Sequence, residues 1–581
     1  MKSLLVIFLL LFTLNLYTLG QNYHCKKITT EEKVSSDISS MTIDREGNVI
    51  VAVFFYDSLT MGNYLITTNI VNSNNRGLYV AKFNKNDSVL WLKKITERQS
   101  MFYQNVGVTS DSSGNIVIAY NFQDSIMING QIIYSTGGTD ELIEKIDWNG
   151  NYLWSKVLNG KGNDIISTGG IKTDKFNNIY FTGAYASTTS SNSIDTAIFN
   201  SIMLSNIGGD YFLIKCDSDA NVLWVKGNNV PHLWAGGQIL LLNQTNEEFV
   251  IGSLLTGTTV STFQGHTINL PANATQAYFV ARYVNDTITK WVKIFYVTGW
   301  SDGINLDRTA SVLKNGDIVV YGSYNCISPL VIPGYGSLPA NTTFANTDYV
   351  TFAICYDTSG NVVWAKTLNG GINGNQSNTA EGIVSAKSGS GFILLSNFTY
   401  ATESGHDTIF ATHSNSNVLL EYMDSLGNNI WHKSIACDVS INAYDMTKFD
   451  KDLLLVGYTT SQTIYCDTIT QAVNNEPSVF LIRLTEGNAH QNVGIAPVKN
   501  KEDLVIYPNP CESKLSVSGI QLSENTKVEV VDLLGRTMNI TINSVSIENW
   551  QLNTANLPSG VYFIKATDAN GKTRNAKFVK E

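Results

Sequence analysis

The chain has 581 residues and a formal net charge of −10, and charged residues make up only 15% of it. A low share of charge together with abundant Asn, Ser, Thr and Gly is typical of exported β proteins rather than of cytosolic domains. The negative charge, with no basic stripe to neutralise phosphates, argues against a nucleic acid as partner.

The N-terminal residues have the three-part layout of a secretory signal peptide. A short basic start precedes the apolar run from Leu4 to Leu16, and Gly20 is the small residue at the expected cleavage site. As a helix the run would extend only about 20 Å, less than the roughly 30 Å apolar core of a bilayer, which disfavours the alternative of an uncleaved anchor. We therefore predict a signal peptide at residues 1–20 and no transmembrane segment in the mature chain.

The seven cysteines are scattered singly and include no C-x-x-C pair. They predict neither a zinc or redox site nor a dense disulfide framework, and their odd number leaves at least one thiol unpaired within the chain. Cys25 follows the predicted cleavage site closely, but the residues before it, Asn22-Tyr23-His24, are not the small and apolar ones of a lipoprotein signal. We interpret Cys25 as structural.

A repeated pair of hairpins fills the middle of the chain. One hairpin of each pair begins with an apolar strand, continues through a turn rich in Asp, Asn and Gly, and ends with a strand that has a tryptophan near its start. An example is YVAKFNKNDSVLWLKKI from Tyr79. Such patterning is a hairpin signal. The tryptophans, spaced 63 to 73 residues apart, are Trp91, Trp154, Trp224, Trp291, Trp364 and Trp431.

Another hairpin lies upstream of each tryptophan hairpin, and one more follows the last of them, which makes seven. Two hairpins give four strands per unit, which is the content of a propeller blade. The last unit lacks its outer strand, and the segment HCKKIT near the N-terminus aligns with WLKKIT of the first unit, which puts His24 at the position of Trp91. We therefore predict an all-β seven-bladed β-propeller at residues 21–487, closed by the N-terminal strand. The alternative is an open solenoid of β repeats.

The repeats resemble those of secreted propellers built from SBBP-type repeats. They are also similar to the tryptophan hairpin of quinoprotein propellers, in which an Asp, a Gly and a Trp follow in that order, as Asp147, Gly150 and Trp154 do here at a spacing one residue shorter. The resemblance implies an architecture in which the Trp ring packs against the neighbouring blade.

Strand direction alternates within a blade, so the turns inside the hairpins emerge on one face and the longer links emerge on the other. Some of the long links carry small hairpins of their own, such as IMINGQIIY. Long loops on a rigid scaffold commonly bind ligands. Trp234 and Trp300 lie in consecutive blade-to-blade links on this variable face, where they suit stacking on sugar rings or anchoring of a protein partner. The alternative is that both fill gaps between blades.

The sequence offers little support for catalysis. The histidines have no metal-ligand spacing, and neither a G-x-S-x-G elbow nor a phosphate-binding loop occurs. Asp217-x-Asp219-x-Asn221 resembles part of a calcium loop, but it occupies a hairpin turn and a calcium site needs more oxygen ligands. We expect no catalytic residue, no metal and no cofactor.

The C-terminal part changes in character after a polar linker at residues 488–503. Residues 504–581 contain short alternating strands and turns, which predict a small Ig-like β-sandwich. In order, the motifs are Y-P-N-P, K-L-S-V, V-x-V-x-D-L-x-G-R, L-P-S-G-V-Y-F-I-K and a terminal Lys-rich strand.

This order resembles the type A C-terminal sorting domain of the type IX secretion system. The resemblance implies export across both membranes, removal of the tail by a sortase-like protease, and frequent attachment to anionic lipopolysaccharide. It assigns the sorting pattern to Tyr507, Pro508, Asn509, Pro510, Gly535, Gly560 and Tyr562.

The sequence thus predicts a secreted or surface-attached propeller that acts as a non-catalytic binding or adhesion module, with a glycan or a protein as ligand. Two alternatives stay open. An extracellular glycan-active or quinone-dependent enzyme predicts an acidic cluster or a cofactor pocket at the central channel of the ring. A structural surface component predicts neither such a pocket nor an exposed aromatic patch.

Overall fold

The computed structural model describes residues 23–31, 38–55, 58–61, 64–67, 77–97, 106–186, 194–207, 210–227, 235–242, 248–254, 260–263, 266–284, 288–299, 303–306, 309–325, 328–339, 349–368, 378–386, 391–399, 401–404, 407–411, 416–467, 469–473, 478–486, 504–507, 511–518, 526–532, 536–544, 549–567 and 573–580. The chain divides into two compact units, Met1–Ala489 and His490–Glu581. The predicted signal peptide and the predicted linker lie outside the described residues.

Among the described residues, the first unit begins with β1 (Tyr23–Glu31). Blade 1 contains β2 (Ile38–Ile43), β3 (Val49–Phe55), β4 (Ser58–Met61), β5 (Tyr64–Thr67), β6 (Gly77–Phe83) and β7 (Val89–Glu97). Blade 2 contains β8 (Val106–Ser110), β9 (Ile116–Ile128), β10 (Gln131–Ile146) and β11 (Tyr152–Gly160). Blade 3 contains β12 (Asn163–Thr173), β13 (Ile179–Ala186), β14 (Ile194–Phe199), β15 (Ile202–Ile207), β16 (Asp210–Cys216) and β17 (Val222–Gly227).

Blades 4 to 6 repeat this plan. Blade 4 contains β18 (Ala235–Leu242), β19 (Glu248–Leu254), β20 (Val260–Phe263), β21 (His266–Asn269), β22 (Gln276–Val284) and β23 (Ile288–Val297). Blade 5 contains β24 (Ile304–Asn305), β25 (Ala310–Val312), β26 (Ile318–Asn325), β27 (Leu330–Ile332), β28 (Gly336–Leu338), β29 (Tyr349–Tyr356) and β30 (Val362–Thr367). Blade 6 contains β31 (Asn378–Ser385), β32 (Gly391–Phe398), β33 (Ala401–Ser404), β34 (Asp407–Phe410), β35 (Asn417–Asp424) and β36 (Asn429–Cys437).

Blade 7 is completed by the strand from the other end of the chain. It contains β37 (Ile441–Phe449), β38 (Asp452–Thr459), β39 (Thr463–Cys466), β40 (Ile469–Ala472) and β41 (Ser478–Glu486), and its sheet order is β1-β41-β38-β37. β1 and β41 pair antiparallel over nearly their whole lengths. The prediction that the N-terminal strand closes the last blade is therefore confirmed.

The innermost strands show that the ring is complete. β2 contacts β8, and the series continues through β12, β18, β25, β31 and β37, which in turn contacts β2. A cycle of seven inner strands leaves no blade with an open face, and it defines an all-β seven-bladed propeller. The open solenoid is excluded, because it would leave β2 and β37 apart.

The predicted register of β1 was wrong by three residues. In blade 1, Trp91 lies opposite Lys82, whereas the equivalent residue of β41, Arg483, lies opposite Lys27 and not opposite His24. Under the predicted alignment Tyr23 would take the place of Leu90, which is 42% exposed. The observed register leaves Tyr23 only 1% exposed. The free energy gained by burying this large aromatic ring favours the observed register over the one that the shared Lys-Lys-Ile-Thr sequence suggests.

The second and third strands of each blade are buried on both sides because neighbouring blades cover them. All residues of β6 (GLYVAKF) and β32 (GFILLSNF) are buried, which explains why these strands read as apolar runs. The outer strands are more exposed, as in β17 (VLWVKG), in which no residue is fully buried. The core is therefore a set of layers between blades rather than a single centre.

Every blade carries an additional hairpin in the link between its second and third strands. We call these seven hairpins the crown: β4–β5, the outer part of β9–β10, β14–β15, β20–β21, β27–β28, β33–β34 and β39–β40. Among the described residues, three of these hairpins also pair with the outer strand of the preceding blade: β14 with β11, β27 with β23 and β39 with β36. This pairing covers sheet edges that would otherwise be open.

The second unit is a two-sheet β-sandwich, as predicted. One sheet has the order β42-β43-β46-β45 and the other β44-β47-β48. These strands are β42 (Val505–Tyr507), β43 (Lys514–Ser518), β44 (Lys527–Asp532), β45 (Thr541–Ser544), β46 (Asn549–Asn553), β47 (Gly560–Thr567) and β48 (Thr573–Lys580). Trp550, which stands outside the repeat register, is fully buried in the sandwich core together with Leu515 and Phe578.

Candidate functional site

Four of the six repeat tryptophans clasp one blade to the next through a hydrogen bond. Each of the six lies near the start of an outer strand, and in these four the indole N–H donates to a main-chain carbonyl in the outer turn of the following blade, whereas the indole N–H groups of Trp224 and Trp431 have no acceptor among the described residues. The observed donor and acceptor pairs are Trp91 and Trp148 (3.2 Å), Trp154 and Ser218 (3.2 Å), Trp291 and Thr358 (3.2 Å), and Trp364 and Ser425 (2.9 Å). The tryptophans therefore have the architectural role that the sequence predicts for them.

The accepting turns are closed by their own aspartates. Asp357 Oδ1 accepts from the N–H groups of Ser359 and Asn361, both at 2.8 Å, and Oδ2 accepts from Asn361 Nδ2 at 3.0 Å. Burial alone would raise the pKa of Asp357, but these hydrogen bonds outweigh it and hold the pKa below its usual value. Gly360 completes the turn with φ +82°, directly beneath the ring of Trp291.

The suspected calcium motif is one of these turns. Asp217 Oδ1 accepts from the N–H groups of Asp219 and Asn221, and Oδ2 accepts from Asn221 Nδ2, all at 2.9 Å. Asp217 therefore makes the same turn bonds as Asp357, as expected for a hairpin turn.

The seam between blades 7 and 1 replaces the clasp with an ion pair. β1 places no tryptophan opposite Arg483, and Arg483 itself reaches the outer turn of blade 1. Its Nε lies 2.9 and 3.0 Å from the two oxygens of Asp87, and its Nη2 lies 2.5 Å from Oδ1. Its Nη1 bonds Asp452 of its own blade at 2.9 Å.

A central channel of about 1120 Å³ runs between the inner strands. Its lining includes inner-hairpin turn residues Asn315 and Asp450 and the outer-turn residue Thr358, so it lies toward the face of the hairpin turns, opposite the crown. Among the described lining residues, four cations face two carboxylates: Lys172, Arg282, Lys314 and Lys448 against Asp445 and Asp450. The lining is thus net positive in a chain whose overall charge is −10.

The acidic cluster that the enzyme alternative predicts is not seen among the described residues of this lining. The carboxylate of Asp445 is occupied, because Oδ2 accepts from Met41 N–H and Oδ1 from Met446 N–H, both at 2.8 Å. Asp445 thereby joins the inner strands of blades 7 and 1.

Large apolar side chains are exposed on the crown. Blades 2 and 3 carry most of them, and their hairpins belong to one six-stranded sheet, β15-β14-β11-β10-β9-β8. The exposed residues there are Met127 (60%), Ile132 (53%), Tyr134 (68%), Ile198 (39%), Ile202 (39%) and Met203 (63%). Crown hairpins of blades 1, 5 and 7 add Leu65, Tyr335 and Tyr465.

Two buried carboxyls lie on β10, the strand that also forms part of the blade 2 crown hairpin. Burial raises the pKa of Glu144 to about 7, although the Tyr120 hydroxyl donates to it at 2.8 Å. Burial likewise raises the pKa of Asp140 to about 6, against hydrogen bonds from Thr136 and Gly160. Both groups therefore favour the protonated form more than exposed carboxyls do.

The residues that the sequence singles out for binding fall largely outside the described part. Trp234 and Trp300 lie outside it, so their role stays a prediction. The sequence predicts small hairpins in some of the long links but not in all seven, and it locates only the one with the Asn-Gly turn of blade 2. Short strands such as β27 and β33 carry too few residues for a clear alternating pattern.

The predicted sorting residues are placed in part. Tyr507 ends β42, and Gly560 begins β47 opposite Lys580. Tyr562 is buried, stacks on Phe578 with ring centroids 5.4 Å apart, and donates from its hydroxyl to the Pro558 carbonyl at 2.8 Å. Pro508, Asn509, Pro510 and Gly535 lie outside the described residues.

Fold and sites together define a seven-bladed β-propeller followed by a β-sandwich. Residues 505–581 match the family model described as the secretion system C-terminal sorting domain. This match confirms the sorting domain and indicates that the chain is exported to the cell surface or secreted. No helix among the described residues combines the length and apolar character needed to cross a membrane.

No curated protein matches the chain. Among solved structures, it is similar to a polysaccharide lyase, an ulvan lyase bound to -[GlcA(1-4)Rha3S]-, at 8% identity and a TM-score of 0.38, covering 79% of this chain and 96% of that one. It is also similar to NanB plus Optactamide (9% identity, TM-score 0.32, covering 81% and 72%) and to Drosophila Semaphorin 2a (9%, 0.25, 97% and 99%).

Proposed function

We propose that the chain is an exported propeller that binds a glycan or a protein through its crown and acts as a non-catalytic binding or adhesion module. The observation that carries this proposal is the exposure of six large apolar side chains on the crown hairpins of blades 2 and 3. Single exposed apolar residues are common on soluble proteins, whereas several on one sheet are a usual mark of a contact surface.

The arrangement of the crown supports this role. Alternating strand direction puts all seven hairpins on one face, and the closed ring beneath them is a rigid support. Aromatic and methionine side chains are favoured where a surface contacts a partner. The sequence predicts that Trp234 and Trp300 lie in links on the same face, so we include them in the proposed surface as groups for stacking on sugars.

The tail has its own part in the proposal. Tyr507, Pro508, Asn509, Pro510, Gly535, Gly560 and Tyr562 would carry the pattern that the type IX secretion machinery and a sortase-like protease recognise. After removal of the tail the propeller would be released or attached to anionic lipopolysaccharide. Substitution of Tyr507 and Pro508 by alanine should then leave the chain in the periplasm, which fractionation would show.

A glycan array probed with the exported chain tests the crown directly. The variant Ile132→Ser/Tyr134→Ser/Met203→Ser removes three exposed crown side chains. Phe176→Ser/Leu426→Ser is the matched control, because these two residues are 67% and 61% exposed in turns on the opposite face. We expect saturable binding that the crown variant loses and the control keeps. Equal binding by the crown variant would refute the crown as the site, and no binding by any form would refute glycans as ligands.

The central channel supports a second candidate function, the binding of a small anionic ligand. Its net positive lining in an acidic chain is the specific observation, because cations that converge on a cleft concentrate anions there. Calorimetry with a sulfated disaccharide is the test. Lys314→Gln should weaken the binding, and unchanged affinity in that variant would exclude the channel.

A further inference from the structure

Two thiols meet where the first strand of the propeller joins the last blade. Cys25 lies in β1 and Cys466 ends β39, the first strand of the blade 7 crown hairpin. β1 contacts the second strand of that hairpin, β40. Cys466 is 1% exposed and Cys25 is half-buried, and both pack in the core cluster between blades 6 and 7.

The main chain around the two thiols is fixed by Asp467. The N–H of Cys25 donates to Asp467 Oδ2 at 2.6 Å, and the ammonium of Lys433 in β36 bonds Asp467 Oδ1. The residue next to Cys466 therefore holds the backbone of Cys25 in place. Hydrogen bonding to Cys25, together with burial, raises the pKa of the Cys466 thiol, as expected for two neighbouring thiols.

The remaining described cysteines are placed less favourably. Cys437 lies in β36, but it opposes Ile464 and not Cys466. Diagonal neighbours of this kind are about 7–8 Å apart, beyond the usual Cα separation of a disulfide. Cys216, Cys355 and Cys511 belong to other core clusters, and Cys326 lies outside the described residues.

We propose that Cys25 and Cys466 form a disulfide after export, which fastens β1 into the ring. β1 is joined to β41 by no turn, unlike the outer strands of the other six blades, so its pairing depends on non-covalent contacts alone. A disulfide here supplies the covalent connection that a turn gives elsewhere. The sorting domain indicates export, and exported proteins meet conditions in which disulfides form and persist.

Thiol–disulfide exchange with an external disulfide, such as that of a periplasmic oxidoreductase or oxidised glutathione, supplies the oxidant. The half-buried Cys25 loses its proton and attacks a sulfur of the external disulfide, which releases one external thiol and leaves a mixed disulfide. Cys466 then loses its proton and attacks the Cys25 sulfur, which releases the second external thiol. Two protein thiols are oxidised and one external disulfide is reduced to two thiols.

Peptide mapping of the exported chain without reductant tests the proposal, and it does not depend on whether the crown binds anything. Free thiols are blocked before digestion. We expect a cross-linked peptide pair containing Cys25 and Cys466 that separates on reduction. Blocked Cys25 and Cys466, or Cys466 joined to Cys437 or Cys326, would overturn the proposal.

Thermal unfolding gives a second readout. Reductant should lower the Tm of the exported chain by roughly 3–6 °C, because the bond closes a very long loop. It should do the same in Cys437→Ser, whose thiol lies on the same sheet, and should have no effect on Cys25→Ser. An equal reductant effect in Cys25→Ser would contradict the assignment.

Discussion

Arg483 of the last blade holds both carboxylate oxygens of Asp87 in the first blade, with Nε–O distances of 2.9 and 3.0 Å. Asp87 occupies the turn position that Gly150, Gly360 and Gly427 occupy elsewhere, and it shares their positive φ. In those turns the tryptophan ring of the preceding blade leaves little room for a side chain. At the seam no tryptophan is present, so a side chain fits there and completes an ion pair across the ring closure.

Breaking this ion pair should destabilise the propeller strongly. Both side chains are almost fully buried, at 2% and 3% exposure, so removal of the Asp87 charge leaves the buried guanidinium of Arg483 with Asp452 as its remaining ion-pair partner. We expect Asp87→Asn to lower the free energy of unfolding by about 3 kcal/mol, with the backbone conformation kept because Asn tolerates positive φ. Denaturant unfolding measures this loss of free energy.

The matched control is the exposed pair of Arg45 and Glu46. Glu46→Gln should produce no measurable change, because water screens that pair. A double variant Asp87→Asn/Arg483→Met should cost less than the two single changes together. Additive costs would show that the two residues do not act as a pair.

Gly360, which lies beneath the ring of Trp291, should resist substitution by alanine for two separable reasons. At Gly360 a Cβ would lie 2.7 Å from the ring of Trp291, and φ is +82°. At Gly334 φ is +84°, but nothing lies within 4 Å of the added atom. Gly334→Ala should therefore cost only the conformational penalty, about 1–2 kcal/mol, and Gly360→Ala about 1–3 kcal/mol more. Equal costs by denaturant unfolding would refute the close packing.

The indole hydrogen bond of the clasp is testable by comparing two tryptophans. Trp291 donates to the Thr358 carbonyl at 3.2 Å. The indole N–H of Trp431 has no acceptor among the described residues, and Tyr23 packs against its ring instead, with centroids 6.0 Å apart. Trp291→Phe should thus cost about 1 kcal/mol more than Trp431→Phe in the free energy of unfolding. The reverse order would contradict the clasp.

Glu144 should make stability fall as pH rises from about 4.5 to 7. Its pKa rises from 4.5 to about 7 on folding, because burial disfavours the charged form. Between these values the folded chain binds more protons than the unfolded chain, so the protonated form favours folding and the benefit is lost as pH increases. Glu144→Gln should remove this slope, worth up to about 3 kcal/mol. Asp140 adds a slope of the same sign. Denaturant unfolding at about pH 4.5 and about pH 7 should therefore give free energies of unfolding that lie closer together in Glu144→Gln than in the unmodified chain, without becoming equal.

Much of the fold is predictable because the sequence repeat recurs from blade to blade. The spacing of Trp91, Trp154 and the other clasp residues predicts the blade count, and the missing outer strand predicts the closure. The register of β1 was predicted wrongly, because an alignment on the shared Lys-Lys-Ile-Thr sequence takes no account of the burial of Tyr23. The candidate sites were largely missed for a different reason. The channel cations and the thiol pair come from blades far apart in sequence, and only the closed ring brings Cys25 to Cys466.

Closure of the ring by β1 is the claim on which the seam and the proposed cross-link both depend, and hydrogen exchange in β41 tests it most directly. In the full exported chain, the amides of Ser478–Glu486 should exchange as slowly as those of β35 in blade 6. In a chain that lacks Tyr23–Glu31, they should exchange much faster while β35 keeps its protection. Unchanged protection of β41 in the truncated chain would contradict closure by the N-terminal strand.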